Sequence, residues 1–154
     1  MTYVDLLDGA TGQAWAGSHQ FRLMPSDPAS ESAATARVTA YAGGNLAALD
    51  YTWAHPDDGP QSGVIVVGCA ESDAEVAVLW TDTWHQETAT AFTGEVAGAT
   101  MRCGYVYSEV WRWEIELTVA SDALTLVMHN VVPEGIEGAA PGPYDAMLMR
   151  LARS

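Results

Sequence analysis

The chain has no lysine. Its six basic residues are all arginines, set against 20 aspartates and glutamates, for a formal net charge of −14. Such a surface repels phosphate backbones and anionic bilayers, which argues against nucleic-acid and membrane partners. Cysteine is scarce too: Cys69 and Cys103 lie in separate segments, without CxxC or other metal-ligand spacing. Each is expected to be a small buried apolar residue, with a disulfide between them the lesser alternative. No apolar stretch approaches the roughly 18 residues of a spanning helix. Met1 to Leu7 carries neither the basic region nor the apolar run of a signal peptide, so a cytoplasmic location is expected. A chain of 154 residues is expected to form one domain, 1–154, with a core that needs no metal or disulfide.

Catalytic signatures are also missing. There is no G-x-S-x-G elbow, phosphate loop or dinucleotide fingerprint. The four histidines (His19, His55, His85, His129) stand in four segments with no HxH or HExxH spacing, so no metal site is expected.

What the chain has is period-two alternation from end to end. Between Gln13 and Met24, Trp15, His19, Phe21 and Leu23 share one face. Between Trp111 and Val119, Trp111, Trp113, Ile115, Leu117 and Val119 face in while Arg112, Glu114 and Glu116 face out. Further strands are expected over Thr35–Ala42, Leu46–His55, Gly63–Cys69, Glu75–Trp84, Ala91–Val96, Thr100–Tyr107, Ala123–Val132 and Tyr144–Ala152. Gly43-Gly44-Asn45, Pro56–Pro60, Ser72-Asp73, Gly98 and Ser121-Asp122 punctuate them. Pro133 to Pro143 is a longer loop, able to cover one end. Alanine-rich composition favours helix, but a helical turn is expected only at Tyr3–Leu7. About ten antiparallel segments on short turns predict an all-β fold, a single up-and-down β-barrel, with a β-sandwich as the alternative.

Three segments carry a resemblance. Trp15-Ala16-Gly17 resembles the W-x-G that opens lipocalins and related calycins, where the tryptophan packs across the barrel floor. Leu79-Trp80-Thr81-Asp82-Thr83-Trp84-His85 is similar to the W-x-D-[ST] block of an uncharacterised bacterial calycin family. Leu124 to Pro133, with a last strand carrying Arg150, is similar to that family's closing region. The resemblance implies a barrel like those of lipocalins and fatty-acid-binding proteins, and it brings no assigned activity. Haem-binding nitrobindin-like barrels also open with W-x-G and hold iron through a histidine near the C-terminus. That resemblance implies His129 as the haem ligand.

Strand parity puts Asp82 on the same inward face as Val78, Trp80 and Trp84. A carboxylate there must be paired, hydrogen-bonded or protonated. It is expected either to anchor a ligand or to satisfy neighbouring backbone and indole N–H groups. The inward tryptophans, with many small alanines and glycines, suggest a cavity for a flat or hydrophobic molecule. The expected ligand-binding residues are Trp53, Trp80, Asp82, Trp84, Trp113 and Asn130, and the expected partner is a small hydrophobic molecule. Arg150, a candidate carboxylate anchor, is expected to face outward, since Met147, Met149 and Leu151 form the apolar face. Two alternatives stand beside this reading. One is a small enzyme using Asp82 with His85 or Asn130. The other is a structural or homodimeric module with a filled barrel.

Overall fold

The computed structural model describes residues 2–154; Met1, the first residue of the expected 1–154 domain, lies outside them. A short helix, α1 (Tyr3–Asp8), precedes ten strands: β1 (Ala14–Phe21), β2 (Ser30–Tyr41), β3 (Leu46–His55), β4 (Gly59–Cys69) and β5 (Glu75–Asp82). After these come β6 (Gln86–Ala97), β7 (Thr100–Ser108), β8 (Trp111–Val119), β9 (Ala123–Val132) and β10 (Gly142–Arg153). Each strand pairs antiparallel with its sequence neighbours, and β1 pairs with β10 to close the barrel. An up-and-down barrel leaves no sheet edge, which is how so many short hairpins satisfy their outer ladders.

The opening Trp15-x-Gly17 is explained at that closure. Gly17 lies opposite Leu151, and a β-carbon on it would sit 1.9 Å from the carbonyl oxygen of Arg150. Only glycine lets β1 and β10 approach there. Trp15 is buried in the core, with the Arg153 guanidinium 5.5 Å from its ring centre.

The barrel has a plugged end and an open end. Thr2 caps α1 through a reciprocal pair of hydrogen bonds with Asp5. The helix turns Tyr3, Val4 and Leu7 into the barrel, and the Tyr3 hydroxyl donates to the Leu117 carbonyl at 2.6 Å. The hairpins at residues 42–45, 70–74, 98–99 and 120–122 lie at this end. Above α1, Trp15, Tyr51, Ile65, Trp80, Met101, Leu117, Met128 and Met147 fill the interior. The inward tryptophans suggest a cavity inside the barrel. Bulky side chains and the helix fill that space instead, and what remains lies at the opposite mouth.

Several boundaries differ from expectation. β4 starts at Gly59 and β6 at Gln86, both earlier than the apolar patterning marks, because half-buried polar residues such as Gln61, Gln86 and Thr90 still pair with neighbouring strands. β5 stops at Asp82, so Trp84 sits in a turn and not on the strand. Cys103 is buried as expected, whereas Cys69, at the end of β4, is exposed; both thiols are free.

Candidate functional site at the barrel mouth

Asp82 ends β5 with its side chain inside, 2 % exposed. Four donors meet its carboxylate. Oδ2 accepts from the Tyr51 hydroxyl at 2.6 Å and from Trp53 Nε1 at 3.3 Å. Oδ1 accepts from the backbone N–H groups of Trp84 at 2.8 Å and His85 at 3.0 Å, which fixes the turn into β6. The Tyr51 oxygen in turn accepts from Trp80 Nε1 at 3.0 Å. This satisfied network ties β3 to β5 and to the following turn, and burial and the adjoining carboxylate both push the Tyr51 phenol well above its usual value. Asp82 therefore satisfies backbone and indole N–H groups, the structural alternative for this residue.

The turn that Asp82 holds swings His85 back over the barrel. Its ring lies 5.2 Å from that of Trp53 and 4.9 Å from that of Trp113. No hydrogen bond joins the His85 imidazole to Asp82; the link is through the His85 backbone N–H. The dyad that an Asp82–His85 enzyme would need is thus not assembled here. His19, fully buried on β1, stacks on Trp53 with ring centres 4.6 Å apart. Burial drives both imidazoles from 6.5 down to about 4; the carboxylate of Asp82 opposes the shift without reversing it.

Above this layer opens a pocket of about 170 Å³. Phe21, Trp84, His85, Tyr105, Tyr107 and Trp113 form most of its wall, completed by Arg22, Leu23, Asn130, Tyr144 and Ala146. Asn130 belongs to a second network, accepting from the Tyr107 hydroxyl at 2.9 Å and donating to the Tyr144 hydroxyl at 3.2 Å. Tyr144 donates onward to the Leu23 carbonyl. Two buried nitrogens in the wall residues, His85 Nε2 and Trp113 Nε1, have no hydrogen-bond partner among the described residues. An unpaired buried polar atom costs about 1–3 kcal/mol, and a partner of matching donor or acceptor character removes that cost.

Of the six residues expected to bind a ligand, Trp84, Trp113 and Asn130 line this pocket. Trp53, Trp80 and Asp82 lie in the hydrogen-bonded layer beneath it. Sequence reading did not assign Phe21, Arg22, Tyr105, Tyr107 and Tyr144 to a site. A signal existed, since in an up-and-down barrel every second hairpin lies at the same end. That rule gathers residues near positions 22, 84, 107, 130 and 144 on one rim.

His129 is corrected. Alternation along β9 points it outward, with Nδ1 3.0 Å from Asp145 Oδ1 on the outer surface, so it does not fit as an interior haem ligand. Arg150 faces solvent, as its parity indicates. A larger concavity of about 870 Å³ lies on the outer face of β1–β5, lined by residues such as Thr35, Arg37, Asp50 and Thr83. It is the open saddle of a twisted sheet, and its threonines bond one another across strands, as Thr35 and Thr52 do at 2.5 Å.

Fold and pocket together define a closed ten-stranded antiparallel barrel with a single aromatic mouth among the described residues. The crystal structure of Rv2717c from M. tuberculosis is similar over 100 % of this chain and 98 % of that one, with a TM-score of 0.65 and 13 % identity. At that identity the likeness is one of fold. No family model matches the sequence, and no curated protein matches it.

Proposed function

We propose that this protein is a calycin-like barrel that binds one small, flat, largely apolar molecule at its mouth. The observation that carries the reading is the pocket whose aromatic wall includes two buried nitrogens without partners, His85 Nε2 and Trp113 Nε1. Thr11 Oγ1, Trp15 Nε1 and both His19 nitrogens are also without partners among the described residues, and only His85 and Trp113 among these residues line the pocket. Volume sets the size of the occupant: an apolar cavity of about 150 Å³ is enough for benzene. The mouth thus suits a single ring, and a tetrapyrrole or an extended fatty acyl chain is far too large for it.

The experiment is titration with toluene, benzyl alcohol and indole, followed by tryptophan emission and thermal unfolding. Binding is expected to raise the unfolding midpoint and to change emission, with Trp113→Phe removing most of the optical signal. A panel with no stabilisation and no spectral change would remove the reading.

A second reading, a structural or homodimeric module that binds nothing, rests on the packed interior beneath the mouth. Sedimentation of the ligand-free protein, together with the same panel, separates the two.

A further inference from the structure

This inference rests on the ligand-binding reading above and concerns the charge of the ligand. The chain carries 20 acidic and six basic residues. The wall of the mouth pocket inverts that balance, with no aspartate or glutamate and one arginine, Arg22. Arg22 follows β1 directly and is half-buried. Its backbone is held by a 3.0 Å bond from its N–H to the Ala146 carbonyl. Its guanidinium makes no hydrogen bond or ion pair among the described residues. Arg102 and Arg112 are paired with Glu116 and Glu114 at 2.7 and 3.0 Å, while Arg37, Arg150 and Arg153 are also without an ion pair among the described residues but do not line this pocket.

The neighbours of Arg22 place its charge at the rim. Burial raises the Tyr144 hydroxyl above its usual value; the Asn130 hydrogen bond opposes this, and the smaller fields of Asp27 and Arg22 raise and lower it. The Asp27 carboxylate, whose charge lies near this rim, accepts from the Met24 backbone N–H at 2.9 Å and makes no ion pair with Arg22. Arg22 lines the same pocket as Asn130, Tyr144 and the aromatic wall, and its guanidinium donors have no partner among the described residues. A cation bordering an apolar slot attracts an anion more strongly than the same cation in open water, because low-dielectric walls concentrate its field. Guanidinium geometry suits a carboxylate in particular, through two parallel N–H···O bonds.

We infer that the mouth pocket takes a single-ring aromatic carboxylate, its ring among Phe21, Trp84, Tyr105 and Trp113 and its carboxylate at Arg22. On an acidic surface, this pairing also explains how an anion is admitted at one point and repelled elsewhere. Affinity should fall with added salt, since the charge pair lies near solvent.

The test uses four ligands of one size: benzoate, benzamide, benzyl alcohol and benzylamine, titrated at pH 7 into the full-length protein. Benzoate is expected to bind at least tenfold more tightly than benzyl alcohol, and benzylamine most weakly. Arg22→Gln is expected to erase the preference for benzoate while leaving the unfolding midpoint of the free protein unchanged, since the side chain holds nothing in place. Arg22→Lys is expected to keep part of the preference. Equal binding of benzoate and benzyl alcohol, or a preference that survives Arg22→Gln, would overturn the inference and leave ligand binding standing. If none of the four binds, the inference falls, and the toluene and indole titrations decide whether ligand binding falls with it.

Discussion

Gly63 has no side chain because the phenol of Tyr51 occupies its place: a β-carbon on Gly63 would lie 2.2 Å from the Tyr51 oxygen. Gly63 on β4 sits opposite Tyr51 on β3 and opposite Asp82 on β5. Neighbouring strands are about 4.8 Å apart, so Tyr51 and Asp82 stand roughly 10 Å apart across the glycine. The tyrosine spans that distance by lying flat over Gly63, which is how its hydroxyl reaches the Asp82 carboxylate. Gly63→Ala must lift the ring and break the contact. We expect a loss of about 2–4 kcal/mol in unfolding free energy, from overpacking plus an unpaired buried group. Chemical denaturation measures it, and a loss below 0.5 kcal/mol (about the spread of a neutral surface change) would contradict the geometry.

Asp82 is expected to matter for stability before it matters for anything chemical. In Asp82→Asn the amide can present only one oxygen to the four donors, so either Tyr51 and Trp53 or the turn amides lose their acceptor. We expect about 2–4 kcal/mol of destabilisation. In a double-mutant cycle with Tyr51→Phe the losses should be clearly non-additive, since the two residues share one bond. Additive losses would mean that the network is not cooperative.

Much of this arrangement was legible in the sequence, and the reason is parity. Period-two alternation put Trp15, His19, Trp53, Trp80, Asp82 and Trp113 inside, and there they lie. Parity fails where strands end. Trp84 reads as the next inward residue of β5, but Asp82 captures the N–H groups of Trp84 and His85 and turns the chain. The turn carries His85 inward, which parity along a continuous strand would place outside. Closure was legible, but the reason for Gly17 was not: the clash that forbids a side chain there involves Arg150, more than 130 residues away. The filling of the interior depended on α1, whose three buried side chains show in sequence only as a short apolar cluster.

Acid should destabilise the protein through its two interior imidazoles. His19 and His85 are held at about 4 when folded against an ordinary value of 6.5. Between those values the unfolded chain binds more protons than the folded one, so stability falls as pH drops from about 6.5 to about 4. It is unaffected by these groups above that window. Each can add at most about 1.4 kcal/mol per pH unit to the slope. Urea unfolding at pH 7.0, 5.5 and 4.5 reads the effect, and His19→Phe, which keeps a ring against Trp53, should flatten it. An unchanged slope in that variant would show that His19 is not a source of the acid sensitivity.

The wall of the barrel is weakest between β6 and β7. Other adjacent strands share seven to ten register pairs, whereas these two share only Glu95–Arg102, Val96–Met101 and Ala97–Thr100. Toward the mouth no register pair joins them, and side chains bridge the gap instead. The Phe92 and Tyr105 rings stack with centres 5.4 Å apart, and the Tyr105 hydroxyl donates to Gln86 Oε1 at 2.7 Å. Backbone amides along such a seam lack the ladder partners that slow exchange with solvent. Hydrogen exchange is therefore expected to be fastest, among the strands, at the seam-facing amides of residues 86–94 and 103–108. Tyr105→Ala should accelerate exchange there by an order of magnitude or more, leaving the β8–β9 pair protected. Because Tyr105 also lines the mouth pocket, the same substitution should speed both association and release of a bound aromatic molecule. Uniform protection across β6 and β7 would show that the side-chain bridge seals the wall as firmly as a ladder does.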